Sequence, residues 1–270
     1  MIKYLKKILK PSAKKVISFV VDQLSVNQRR KLFLISQKLK LYTNSEYRKR
    51  ASLANDHLIG YGIEIGALFQ PVPLPRRAKV QYVDYLSTEK LREEYPELVY
   101  LPFQEVNIID DGEKLNTFQI ESLDFIIAMH VLEHSQDPIT TLLRWINILK
   151  PGGLCFLGIP IREKSFDSKR ALTSYEHLLN DYKLGPENSR MEHYLDAVHY
   201  IEGKSGEDLI TRANFLADRS FSIHFHVWNG QSFRSFLDSL IKDFKLTITI
   251  EVFQESGTEI LTMLKKNSID

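Results

Sequence analysis

The stretch YGIEIGALFQPVPLPRRAKVQYVDYL, residues 61–86, decides how the chain reads. Ile63 and Ile65, bounded by Gly62 and Gly66, predict a short buried strand. Gly66 has no Cβ, so the backbone can turn sharply there and approach a ligand closely. A second strand, Lys79–Val83, ends in an acid, Asp84. In doubly wound sheets an acid about 20 residues past the glycine turn accepts hydrogen bonds from ribose hydroxyls. The distance from Gly66 to Asp84 fits. A pyrophosphate asks for more glycines and a helix N-terminus. Here there is one turn glycine, and Pro71, Pro73 and Pro75 prevent a helix from starting. The loop therefore speaks against NAD or ATP and suits a nucleoside without phosphate, such as S-adenosylmethionine. An ordinary strand–turn–strand in a core fits the same residues, and this stretch alone leaves both readings open.

Downstream, an α/β alternation follows. Ser87 is placed to cap a short helix through Tyr95, closed by Pro96. A third strand is expected over Glu105–Ile109, ending in the turn signal Asp110-Asp111-Gly112. Leu123–Met129 is apolar after Asp124, as a central parallel strand should be. Asp137-Pro138 caps and opens a helix through Leu149, Lys150-Pro151-Gly152-Gly153 stops it, and Leu154–Ile159 is the fifth strand. Residues 161–222 interrupt the alternation with polar, helical sequence. Thr173 to Glu176 reads as a capping box, Pro186 precedes a second helix and Ser205 caps a third. An insertion this long after a strand's carboxyl end reads as a lid or substrate pocket. Phe221–Trp228 reads as extended, followed by a helix Gln231–Asp243 capped by Asn229. Strands Lys245–Phe253 and Glu259–Leu264 are joined at Glu255-Ser256-Gly257.

Composition is that of a globular protein, 43% apolar and 26% charged. The single cysteine, Cys155, excludes an intrachain disulfide and a cysteine-based zinc cluster. No apolar run is long enough for a transmembrane helix, and Val16–Val21, stopped by Asp22, is too short for a signal peptide. The formal charge of +2 conceals an asymmetry. Residues 1–50 hold 14 basic and 2 acidic residues, a net of +12, against −10 for the rest. Basic amphipathic helices over 1–50 suit an anionic membrane surface or another acidic partner, or a helical extension with a solvated face. Nucleic acid is disfavoured, because the basic residues lack interleaved aromatics. The division expected is a basic helical extension, 1–54, and a main domain, 55–270, with 161–222 inserted as the lid.

Together the pieces resemble class I S-adenosylmethionine-dependent methyltransferases over roughly residues 58–265. GIEIG at 62–66, the acid in VDYL, DDGEKL at 110–115 and SLDFIIAMHVLEH at 122–134 carry the resemblance, with LRWINILKPGGLCFLGIP at 143–160 the most specific. The segments 166–194 and IHFHVW at 223–228 look like a bacterial subgroup associated with surface-glycan clusters. The resemblance implies a Rossmann-like, seven-stranded, mostly parallel sheet with a C-terminal antiparallel hairpin, to which the sequence itself adds the helical lid insertion and the basic extension. It implies S-adenosylmethionine as cofactor. Glu64 and Gly66 would form the first cofactor turn, with Ala67 and Leu68 in the loop. Asp84 would bind the ribose, Tyr85 or Leu86 would pack on the adenine, and Asp111 and Gly112 would meet its amino group and a ring nitrogen. Met129 and His130 would border the methionine part. The lack of glycines after Gly66 departs from the usual pattern.

Methyl transfer asks mainly for positioning, with a general base where the nucleophile is a hydroxyl. Histidine suits that task at neutral pH. His130, at the carboxyl end of the central strand, is the first candidate; the lid pair Glu192 and His193 comes second, and His134 reads as ordering the turn. His130-x-x-Glu133-His134 also matches a zinc-protease pattern, but that pattern needs a continuous helix and here follows a strand. A structural turn without metal is the preferred reading; the alternative is a divalent ion holding the acceptor oxygens, as in methyltransferases that carry E-x-x-E-H at this turn, where His130 here replaces the first glutamate. The expected activity is O-methylation of a small or glycan-like acceptor, in the cytoplasm or peripherally at the inner membrane face. The alternative is a non-catalytic binding protein on the same fold.

Overall fold

The computed structural model describes residues 45–98 and 101–268, together with 25, 27, 28 and 31. Apart from those four residues, the expectations for the basic segment 1–44 lie outside the described residues. Seven strands form one sheet: β1 (Gly60–Ile65), β2 (Ala78–Asp84), β3 (Ile108–Ile109), β4 (Leu123–Met129), β5 (Leu149–Pro160), β6 (Ile248–Ser256) and β7 (Glu259–Lys266). Their order is β3-β2-β1-β4-β5-β7-β6. The first five are parallel, and β7 runs antiparallel to both β5 and β6. The Rossmann-like sheet with its C-terminal hairpin is as the sequence predicts. Seven helices stand among the described residues: α1 (Ser45–His57), α2 (Thr88–Glu94), α3 (Pro138–Ile148), α4 (Tyr175–Leu184), α5 (Arg190–Glu202), α6 (Gly206–Asp218) and α7 (Gly230–Asp243). None is long and apolar enough to cross a membrane.

β4 is apolar on both faces because the sheet is covered on both. Ile126 and Ala128 face one layer, with Leu142 and Trp145 of α3 and Phe236 of α7. Phe125 and Ile127 face the other, with Leu53 and Ala54 of α1, Leu58 and Val72. α1 runs through residue 54 and belongs to this second layer. α3 starts where the sequence signals it: Asp137 accepts from the Thr140 N–H at 3.0 Å and Pro138 fills the first turn. Gly62 is required by close packing, since a Cβ there would lie 2.2 Å from the Phe125 carbonyl oxygen across the β1–β4 pairing. Gly62→Ala is expected to lower stability by about 3 kcal/mol or more, read as an earlier urea midpoint at unchanged slope.

Several boundaries differ from expectation for local reasons. β3 is two residues long rather than five. Beside it the Val106 N–H donates to Thr88 Oγ1 at 2.8 Å and the Tyr82 N–H to Asn107 Oδ1 at 2.9 Å, so side chains replace ladder bonds. β5 begins at Leu149, through its pairing with Leu123, and carries the Gly152-Gly153 kink inside it. β6 begins at Ile248, because Lys245 takes φ +50° and the Leu246 N–H still bonds Ile241 of α7. The cap of α4 is Ser174, which accepts from the His177 N–H; Thr173 Oγ1 instead accepts from the Val227 N–H. Ser205 precedes α6 without a side-chain cap bond. Residues 221–228 form no strand beyond one bridge, Ile161 to Trp228, and their backbone bonds the Glu133 carbonyl instead.

Candidate active site

The strand order reverses between β1 and β4, and in open α/β sheets the crevice at such a point, beyond the carboxyl ends of the strands, is where ligands bind. The expected cofactor residues sit along that edge. Gly66 follows β1 with φ +64°, and Leu68 follows with φ +46°. Asp84 is the last residue of β2, Asp111 and Gly112 lie just past β3, and Met129 ends β4. Tyr85 is exposed, with Leu86 partly covered beside it.

Glu64 is buried, and its carboxylate accepts the Val72 N–H at 2.9 and 3.2 Å. Burial pushes its pKa up to about 8, against that hydrogen bond and the charge of Arg50. Glu64 thus pins the proline-rich loop onto β1 and shapes the turn from beneath. Asp84 is different. It is buried, its Oδ1 accepts from the Tyr85 N–H at 2.9 Å, and Oδ2 has no hydrogen-bond partner among the described residues. Burial raises its pKa to about 6. A buried carboxylate with spare acceptor capacity fits the hydroxyls of a ribose. Asp111 is more committed: its carboxylate accepts from the Glu113 N–H at 2.9 Å and from Lys114 Nζ at 2.7 Å. The Gly112 carbonyl accepts the Trp145 indole N–H at 2.8 Å, which anchors the turn to α3.

Past β4 the backbone does something uncommon. His130 takes φ +57°, and its N–H bonds the Gly158 carbonyl of β5 at 2.8 Å. A non-glycine residue held there marks a place where function is to be sought. His130 Nε2 lies 2.9 Å from Glu259 Oε2. Glu259 opens β7 opposite Pro160, so the hairpin register brings it to the same sheet edge. Its carboxylate is buried and receives both Nε and Nη2 of Arg50 from α1. Burial draws the His130 pKa down, but the Glu259 bond and the Glu133 charge outweigh it, so the imidazole titrates above its ordinary range.

His130 Nδ1 is 3.8 Å from Glu133 Oε1, and His224 Nε2 is 3.9 Å from the same oxygen. Glu133 is fully buried and neither oxygen has a hydrogen-bond partner. His224 Nδ1 continues to Asp167 at 2.7 Å, and Asp167 to Arg170 at 2.8 Å. Burial alone would raise the Asp167 pKa; the bonds to His224 and Arg170 bring it below the usual range. His134 Nδ1 faces the Ile223 carbonyl at 2.9 Å and Ser222 Oγ at 3.0 Å, so it ties residues 222–223 to the turn. The two histidines of the His130–His134 pattern thus serve different partners.

The lid candidates lie elsewhere. His193 is buried on α5, with Nε2 3.0 Å from His177 Nε2 of α4, and Glu192 beside it is exposed. Both line a cavity of about 220 Å³ with Arg170 and His177. Arg50, Asp167 and Glu259 are the site residues that the sequence does not single out, whereas Glu133 stands in the His130–His134 pattern and His224 in the IHFHVW segment. Only the hairpin signal before Glu259 hints at one of them.

A family profile described as a methyltransferase domain matches residues 74–237, which include Asp84, Asp111, His130 and His193 but not the Gly66 turn. No curated protein matches the chain. Solved structures that resemble it include an S-adenosylmethionine-dependent methyltransferase from Thermotoga maritima, at 14% identity and TM-score 0.45, covering 88% of this chain and 97% of that one. Burkholderia thailandensis 1,6-didemethyltoxoflavin-N1-methyltransferase, with bound S-adenosylhomocysteine, has 12% identity and TM-score 0.46 over 88% and 87%. A protein described as a Zn-dependent alcohol dehydrogenase from Rhodobacter sphaeroides has 11% identity and TM-score 0.48 over 82% and 90%. Likenesses this distant carry no argument about chemistry.

Proposed function

The chain belongs to the methyltransferase domain family, with S-adenosylmethionine as its cofactor, and on that premise we propose that it methylates a hydroxyl of a small or glycan-like acceptor. The observation that carries the oxygen chemistry is the Glu259–His130 pair. With Nε2–H donated to Glu259, the neutral imidazole keeps its lone pair on Nδ1, the arrangement by which an acid fixes the tautomer of a catalytic base. S-adenosylmethionine, when bound, supplies a methyl group already activated on a sulfonium. Asp84 holds the ribose, the turns at Gly66 and Gly112 flank the nucleoside, and His130 takes the hydroxyl proton through Nδ1. Residues 161–222 cover the acceptor and set its identity.

The test is transfer of label from methyl-tritiated S-adenosylmethionine to a panel of hydroxylated sugars and their amino-sugar counterparts. Labelled methyl ethers are expected. Label confined to amines would replace the oxygen reading, and transfer to neither class would remove it.

Asp84 gives the cofactor step a pH signature. Ribose hydroxyls donate to the ionised carboxylate, so binding lowers a pKa that stands at about 6 in the free chain. Affinity for S-adenosylhomocysteine, measured by calorimetry, is expected to fall about tenfold per pH unit below that value and to level above it. Asp84→Asn should flatten the profile.

The charge of residues 1–50 supports a further part of the reading, contact with an anionic membrane face. Because α1 starts at Ser45 and buries Leu53 and Ala54, the informative truncation removes 1–44 alone. The full chain is expected to float with anionic liposomes and the shortened chain to stay behind; equal flotation would dismiss the contact.

A further inference from the structure

We propose that His177, Asp181, His193 and His226 form a binding site for a zinc-like divalent cation that ties the lid to the body of the protein. His177 and Asp181 stand one turn apart on α4, His193 lies in the first turn of α5, and His226 lies on the segment that returns to β5. Their ligand atoms all fall within 4.8 Å of one another. His177 Nε2 is 3.0 Å from His193 Nε2 and 3.1 Å from Asp181 Oδ2, and His226 Nε2 is 3.9 Å from that oxygen. Four ligands at 2.0–2.1 Å around a tetrahedral zinc ion would stand about 3.3 Å apart. The cluster already brackets that spacing.

Hydrogen bonding serves these atoms poorly. One proton on His177 Nε2 has two acceptors in front of it, an imidazole nitrogen and a carboxylate oxygen. Asp181 Oδ2 is buried with no hydrogen bond beyond the His177 imidazole that faces it at 3.1 Å, and His226 Nε2 has only a long contact, 3.3 Å, to the Gln136 carbonyl, with its Nδ1 buried and unpartnered. Orphaned polar atoms in a core are costly, whereas a cation placed at the common centre would engage the carboxylate and the imidazole lone pairs together. The surroundings fit such an ion. Ser189 Oγ donates to Asp181 Oδ1 at 2.6 Å and fixes the carboxylate, as outer partners of metal ligands do. The nearby Arg170 charge is already met by Asp167 and Asp196. Three imidazoles and one carboxylate suit zinc better than calcium or magnesium, which take oxygen shells. The cavity lined by His177 and His193 gives an ion its path in. With four protein ligands the site is closed, and its consequence is structural: α4, α5 and residues 223–228 are held as one unit over the acceptor region.

Tag-free full-length protein, purified without chelator, is expected to contain about one zinc per chain by elemental analysis. After stripping, it should recover zinc in competition with a colorimetric chelator. Cobalt(II) in its place should give the intense visible bands of a tetrahedral site. His199→Gln changes an exposed lid histidine outside the cluster and should behave as the parent. His177→Gln and Asp181→Asn should each weaken zinc binding by more than the about 100-fold that loss of an outer partner costs. A folded parent chain that carries no zinc as purified and takes up none in competition overturns the proposal. So do folded variants that bind as tightly as the parent. None of these readouts involves methyl transfer, so the result stands apart from the activity reading.

Discussion

Glu259→Ala is expected to destabilise the protein by about 3–5 kcal/mol, because it strands a buried cation rather than merely deleting a contact. Arg50 has 13% of its side chain exposed and Glu259 has 1%, so neither charge has water to fall back on. Both nitrogens of the Arg50 fork meet the carboxylate, and His130 shares one of its oxygens. Differential scanning calorimetry should show the melting temperature lowered by roughly 6–20 °C, given the about 2–4 °C per kcal/mol of a chain this size. The pH dependence has a definite sign. Burial alone would raise the Glu259 pKa, but His130 and Arg50 bring it below its ordinary 4.5. Its contribution is therefore fully present above the unfolded value and is lost as pH falls through the lower folded value. The alanine variant should show a weaker acid-side loss than the parent. Glu259→Gln, which keeps an acceptor but not the charge, should melt between parent and alanine variant at neutral pH and share the alanine variant's weaker acid-side loss.

That triad also shows what a sequence can and cannot disclose. The sheet was legible because its signals are local. Leu123–Met129 is apolar without alternation, Asp137-Pro138 caps and opens α3, and the hairpin carries its own turn at Ser256-Gly257. The cofactor edge was legible for a related reason: Gly66, Asp84 and His130 each directly follow or end a strand, so placing the strand places the residue. The acidic partner of His130 was not, because 129 residues separate the pair and only the β5–β7 register brings them together. Arg50 is farther still, 209 residues from Glu259, on a helix the sequence reading divided at residue 54. Strand boundaries failed where side chains of Thr88 and Asn107 took over ladder positions, a substitution no periodicity records. His193 was singled out for its chemistry, yet its setting among His177, Asp181 and His226 depends on how two lid helices and a strand-like segment meet.

His130→Asn is the change expected to have the largest effect on activity. Asparagine tolerates the left-handed backbone that His130 occupies at φ +57°, so the turn after β4 should survive where a bulkier or branched replacement would strain it. The asparagine side chain cannot accept the acceptor's proton at neutral pH, and transfer should fall by about 10²–10⁴-fold, the usual worth of a positioned general base. S-adenosylhomocysteine should still bind, because Asp84, proposed to hold the ribose, stands at the end of another strand. Calorimetry beside label transfer separates the two steps. The parent's pH profile adds a second mark. His130 must be neutral to act as a base, and its net pKa stands above the ordinary 6.5 because Glu259 and Glu133 outweigh burial. Transfer should therefore rise with pH through a limb on the alkaline side of 6.5, the Glu259→Gln variant should move that limb downward, and His130→Asn should lack it. An unchanged rate in His130→Asn would take the base away from β4 and leave positioning alone to explain the catalysis.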